Sequence, residues 1–234
     1  MGKTQKRIIV FDIETSSYPF ESLSESQQEF LLRYAEKETN EGIKSQKINE
    51  AKRYLNLYPF TAKVIAVGFY DVLKEKTFVY YESNKNEEWH SDDKKINYKG
   101  LKEDDILRSF WRIVEASNQF ITFNGRNFDI PFLMLRSAIK RIKPAKNLNT
   151  SRYDKKLHID LLEQFTYYGM TKKFNLDFYC KAFGVESPKS QGISGMDVKN
   201  LYNAGKIKEI AVYCGKDVIA TYELYKIWDE FLNI

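Results

Sequence analysis

The chain has 234 residues, 43% of them hydrophobic and 15% aromatic, enough to bury a substantial core most simply as a single domain, residues 1–234. Its 29% charged residues, net charge of +5 and mean hydropathy of -0.52 describe a soluble protein. The apolar run at residues 8–11 is too short for a signal-peptide core or a membrane span, and Cys180 and Cys214 supply neither a disulfide framework nor zinc spacing, so a cytoplasmic protein without a membrane partner is expected.

Residues 7–13 read as a strand buried on both faces, because the apolar run is continuous and β-branched. Residues 22–56 are rich in Glu, Gln, Lys and Ala. Helical spacing through Phe30, Leu31, Tyr34, Ile48, Ala51 and Leu55 predicts one or two surface helices inserted after that strand. Residues 62–71 and 76–82 predict two strands joined by a polar turn at Lys74 and Glu75. The charged stretch 83–100, with its Asn, Ser and Asp, predicts a mobile loop. Ile106, Phe110, Trp111 and Val114 form a helical stripe, followed by a short strand at 119–123. Residues 129–140 predict a helix with Pro131 in its first turn. A last strand is expected at 158–161, then short helices, then a long amphipathic helix over 207–231. Such an order indicates an α/β domain with a central mixed sheet flanked by helices. Arg136, Lys140, Arg141, Lys143, Lys146, Arg152, Lys155 and Lys156 form a basic run. It either attracts polyphosphate backbones or is a solvated face.

Three acidic placements need explaining. Asp12 and Glu14 alternate with Ile13 along a strand and so share a face. Two such carboxylates 4 Å apart repel by about 4 kcal/mol at an effective dielectric near 20. A divalent cation turns that repulsion into attraction; alternatively Glu14 has left the sheet and both acids are solvated. Tyr213 and Asp217 are one helical turn apart, on a face that continues through Thr221, Leu224 and Trp228. Asp217 thus lies in an apolar stripe and needs a partner, either a metal or a cation such as Lys216 or a distant arginine. Gly215 in the same helix costs about 1 kcal/mol relative to alanine and signals close approach by another group. Asp129 follows Asn124-Gly125 and precedes Pro131, a context that by itself favours a helix N-cap.

Taken in order, Asp12-Ile13-Glu14, Asn124 through Asp129-Ile130-Pro131, and Tyr213 through Asp217 resemble the motifs of the DEDD superfamily of 3′–5′ exonucleases. The resemblance is closest to the proofreading domain of family-B DNA polymerases and its free-standing relatives. Residues 63–68 resemble the second strand of those domains. Tyr213, with Val212 where another branch carries histidine, matches the tyrosine (DEDDy) branch. The resemblance implies a ribonuclease-H-like fold. It also implies hydrolysis of terminal phosphodiester bonds of DNA at single-stranded or frayed 3′ ends, releasing nucleoside 5′-monophosphates.

By the same resemblance, Asp12, Glu14, Asp129 and Asp217 would be metal ligands. Their all-oxygen donor set favours two Mg²⁺ or Mn²⁺ ions, held about 3.5–4 Å apart. Asp12 would bridge them, Glu14 and Asp217 would hold the ion on the nucleophile side, and Asp129 would reach the other directly or through water. Tyr213 would orient the attacking water, since an ordinary tyrosine pKa of about 10 makes it a poor base. Thr15, Asn124 and Phe128 would contact the terminal nucleotide, although Phe128 also suits a core position. The alternatives are an exoribonuclease that processes RNA and a non-catalytic nucleic-acid-binding module of the same fold. No polymerase region accompanies the motifs, so a separate polymerase or repair partner is expected.

Other features stand apart from the motifs. His158 and Asp160 share a strand face, but two ligands are too few for a metal site, and a structural histidine near the sheet edge is expected. Tyr167, Tyr168, Phe174, Phe178 and Tyr179 form either a base-stacking surface or, as helical spacing favours, core packing. The polar loop 191–195 is expected to close over substrate.

Overall fold

The apolar run at residues 8–11 opens a central strand, β1 (Ile8–Ser17), in the computed structural model, which describes residues 6–188, 195 and 197–234. β1 runs four residues further than the sequence predicted, so Glu14 stays inside the sheet. The insertion forms α1 (Glu25–Leu32) and α2 (Glu41–Arg53), followed by a 3₁₀ turn at Tyr54–Leu57. Asn40 caps α2 by accepting from the Gly42 and Ile43 amides. β2 (Ala62–Asp71) and β3 (Lys76–Glu82) are the predicted hairpin.

The segment expected to be a mobile loop is a correction. It contains β4 (Glu88–His90) and β5 (Ile96–Leu101), and β5 pairs in parallel with β3. Alternating burial along β5 places Ile96 and Tyr98 inside, and the Trp89 ring stacks on Tyr98 at 3.8 Å. The charges on this segment lie on the outer face, which is why composition concealed the strands.

α3 (Glu103–Glu115), β6 (Gln119–Thr122), α4 (Asp129–Ile139) and β7 (His158–Asp160) follow. They lead to α5 (Leu161–Phe165), α6 (Leu176–Phe183), α7 (Val198–Asn203) and α8 (Ile207–Phe231). Among the described residues, seven strands make one mixed sheet in the order β4-β5-β3-β2-β1-β6-β7. One face packs Ile9, Phe11 and Ile13 against Ile106, Phe110 and Leu133 of α3 and α4. The other packs Val10 and Ile121 against Val218, Leu224 and Trp228 of α8. Among the described residues no helix is long and apolar enough to cross a membrane.

Candidate active site

The alternation of β1 sends Ile9, Phe11 and Ile13 toward α3 and α4, so Asp12 and Glu14 face α8. Glu14 is 8% exposed, which excludes a solvated pair of acids. The register with β2 shifts between Glu14 and Thr15, an irregularity of the kind that re-aims side chains next to sites. Directly across from Asp12 stands Gly68. A Cβ there would lie 2.8 Å from Val218 Cγ2 and 3.1 Å from the Cys214 carbonyl, so glycine lets α8 lie low on the sheet at this point. The Cys214 thiol donates to the Asp12 carbonyl at 3.7 Å. Gly215 is explained in the same way. Its missing side chain leaves room for Val79 and Ile96, the latter from the strand that sequence reading missed.

This close approach assembles the acids. One carboxylate oxygen from each of Asp12, Glu14 and Asp217 lies within 4.8 Å of the others. Asp129 arrives from the opposite layer. It is the first residue of α4 rather than its N-cap, a position Phe128 holds without a side-chain capping bond. Its Oδ1 accepts from the Ile13 amide at 3.0 Å. The parallel ladder between β1 and β6 ends at Val10, and Asp129 takes up an amide beyond that end.

Burial, and then the charge of Asp217, pushes the Asp12 carboxyl well above its usual range. Glu14 is raised by burial and by Asp12, Asp217 and Asp129. Asp129 is raised by burial and by Asp12. Among the described residues, no lysine or arginine pairs with Asp12, Glu14 or Asp129. Such a donor set fits hard divalent cations, whose charge offsets what the protein leaves uncompensated. Burial and the surrounding carboxylates also hold the Tyr213 hydroxyl far above its ordinary pKa, with a hydrogen bond to Asp217 contributing. Tyr213 is therefore a neutral phenol.

Residues 62–231 match the family described as a predicted 3′–5′ exonuclease related to the exonuclease domain of PolB. The chain belongs to that family. The fold of this exonuclease-family chain is ribonuclease-H-like and similar to that in the family B DNA polymerase from the hyperthermophilic archaeon Pyrobaculum calidifontis. The TM-score is 0.62 at 17% identity, over 97% of this chain and 25% of that one. It therefore spans about a quarter of the polymerase's length. No curated protein matches the sequence. The matched span contains Asn124, Phe128, Asp129, Tyr213 and Asp217 but starts after Asp12, Glu14 and Thr15.

The expected nucleotide contacts of this exonuclease-family member differ in availability. Thr15 is buried and its hydroxyl donates to the Asn56 carbonyl at 2.6 Å, so the side chain joins β1 to the insertion. Asn124 adopts a left-handed conformation (φ 65°) and keeps partial exposure. Phe128 is half-buried, 5.7 Å from the Phe132 ring and packed on the α3–α4 core. Asp160 holds the Asn124 turn by accepting from the Asn124, Arg126 and Leu162 amides, and His158 bonds Thr122 at 2.8 Å. Both are tied into the fold, which for His158 is the structural role expected from the sequence.

Two other expectations need correction. Core packing holds for Tyr179 and for Phe174, which is partly buried against the same cluster, but Tyr167 and Phe178 are exposed, the Phe178 ring stacking on Phe174 at 4.1 Å. In the basic run, Arg136 is buried against Glu103, Lys140 pairs with Asp104, Arg152 with Glu163, and Lys146 donates to the Ser117 carbonyl. Much of that charge is committed inside the fold. Residues 191–194 of the expected closing loop lie outside the described residues. The sequence placed Gly68 only within a resembling strand and Arg136 only within the basic run, and gave neither its structural role. A glycine interrupting a β-branched strand was the available signal for the first.

Proposed function

We propose that this chain is a metal-dependent 3′–5′ exonuclease of DNA that removes nucleoside 5′-monophosphates from single-stranded or frayed 3′ ends, with residues 1–234 as its nuclease domain. The observation carrying this reading is the convergence of Asp12, Glu14 and Asp217 within 4.8 Å, without a cationic partner at Asp12 or Glu14 among the described residues. Asp12, Glu14 and Asp217 would hold one Mg²⁺ or Mn²⁺, and Asp12 with Asp129 a second. When bound, the ions would neutralise the carboxylates and stabilise charge developing on the attacking and leaving oxygens of the phosphodiester.

The side chains supply the rest. A neutral Tyr213 that donates to Asp217 keeps its oxygen free to accept a proton-bearing water, which fixes the direction of attack without removing the proton. The Asp129–Ile13 bond ties the start of α4 to β1 and holds the acids from the two layers in register. Asn124 and Phe128, at the mouth of the same turn, would contact the terminal nucleotide. A base held there cannot stay stacked in duplex, hence the preference for frayed ends.

The test is digestion of single-stranded and 3′-recessed DNA with Mg²⁺ or Mn²⁺. Wild-type protein releases mononucleotides, and Asp217→Ala does not. No release with either ion overturns the proposal. Matched RNA strands run in parallel separate a deoxyribonuclease from an exoribonuclease.

A further inference from the structure

The insertion after β1 carries an unexplained feature: an open groove of about 750 Å³ lined by Phe30, Tyr54, Tyr58 and Phe60. These rings are between 39% and 62% exposed, whereas Leu55, next to Tyr54 in the same 3₁₀ turn, is fully buried. Arg33 also lines the groove, its guanidinium 3.7 Å from the Phe30 ring centre. Flat rings beside a planar cation suit stacking on bases, which is tolerant of sequence.

Hydrogen bonds tie the groove segment to the strand that carries Asp12 and Glu14. Thr15, the residue after Glu14, bonds the Asn56 carbonyl between Tyr54 and Tyr58. Tyr18 donates its amide to the carbonyl of Thr61, another groove residue, at 2.9 Å. At a strand rise of about 3.3 Å per residue, Tyr18 lies about 13 Å beyond Glu14. That is about four nucleotides at a stacked rise of 3.4 Å per strand.

We infer that this groove binds the bases of the single strand upstream of the scissile nucleotide, beginning about four nucleotides from the 3′ end. The inference rests on the nuclease reading above. It gives the insertion, which lies before the span shared with the family, a role in measuring out single-stranded substrate.

The test compares Tyr58→Ala/Phe60→Ala with wild type and with Phe60→Trp. Binding of fluorescent oligothymidylates, trinucleotide and dodecanucleotide, is followed by anisotropy in EDTA, where no hydrolysis runs. Hydrolysis of a dinucleotide and of the dodecanucleotide is followed with Mg²⁺. The double variant should bind the dodecanucleotide about 5- to 100-fold more weakly while leaving the trinucleotide unaffected. Its kcat/KM should fall on the dodecanucleotide only, and Phe60→Trp should retain both. Because both side chains are about half-exposed, the melting temperature should stay near that of wild type. Unchanged dodecanucleotide affinity overturns the inference and leaves the groove to a protein partner or a second copy. An equal loss on short and long substrates also overturns it. If the rings govern dodecanucleotide affinity but no substrate is cleaved with either ion, the groove stands and the nuclease reading fails.

Discussion

Two groups of buried carboxylates in this protein are treated in opposite ways. Glu103 accepts from Arg136 Nε at 2.7 Å, from Arg136 Nη2 at 2.9 Å and from the Val64 amide at 3.0 Å. Glu163 pairs with Arg126 at 2.9 Å and Arg152 at 2.8 Å. Both are structural joints, and Arg136 extends its joint to the Tyr18 hydroxyl and the Pro59 carbonyl. Asp12, Glu14 and Asp217 face one another instead. Burial of an acid is thus no signal of function by itself. Converging acids of which Asp12 and Glu14 have no cationic partner among the described residues are one, because a divalent cation from outside can supply the positive charge.

Single substitutions should break this contrast in opposite directions. Asp12→Ala should lower nuclease activity by about a thousandfold or more, the equivalent of several kcal/mol of lost charge stabilisation. Without metal it should be no less stable than wild type, since it removes a repulsion. Millimolar Mg²⁺ should raise the melting temperature of wild type but hardly that of the variant. An equal shift in both proteins would place the ions elsewhere.

Glu103→Ala should do the reverse. It strands the buried Arg136 guanidinium and the Val64 amide, so about 3–5 kcal/mol of stability should be lost in denaturant titrations. Activity per folded molecule should fall far less than in Asp12→Ala. A loss under 1 kcal/mol would mean that the joint is replaceable by water.

A third buried group tests neutrality rather than pairing. Burial, with Arg126 nearby, lowers the His158 pKa to about 3, from an ordinary value near 6.5. Between these values the unfolded chain binds a proton that the folded chain does not. Stability from neutral His158 is therefore complete above about pH 6.5 and declines as pH falls toward 3, by about 3 kcal/mol over the first two units. His158→Gln should flatten that part of the stability profile, and an unchanged slope would refute the assignment.

The smallest expected effect probes how the acids are brought together. Gly68→Ala places a methyl group against Val218 and the Cys214 carbonyl, lifting α8 and Asp217 away from Asp12. A displacement of about 1 Å should cost about a hundredfold in kcat. Crystal structures of the variant should show the shift, and wild-type activity would mean that Val218 yields instead of the helix.

Legibility in the sequence followed the range of the interactions. Period-two alternation was enough to pair Asp12 with Glu14, and helical spacing to pair Tyr213 with Asp217, because both depend on backbone geometry within one element. β4 and β5 escaped because their polar residues cover an outer face. The basic run misled for a related reason: whether Arg136 meets solvent or Glu103 depends on residues 33 positions apart.

The sequence on its own determined which side chains could share a face, since the chain's covalent geometry sets strand and helix periods. It also determined the order of the acidic motifs. Only the tertiary structure decided that α8 descends onto β2 at Gly68 and that Asp129 reaches across layers to Ile13. It likewise decided that Arg136 goes to Glu103 and Arg126 to Glu163, leaving Asp12 and Glu14 without a cationic partner among the described residues. Those outcomes depend on packing between distant segments, where one missing methyl group sets how near two charges can come.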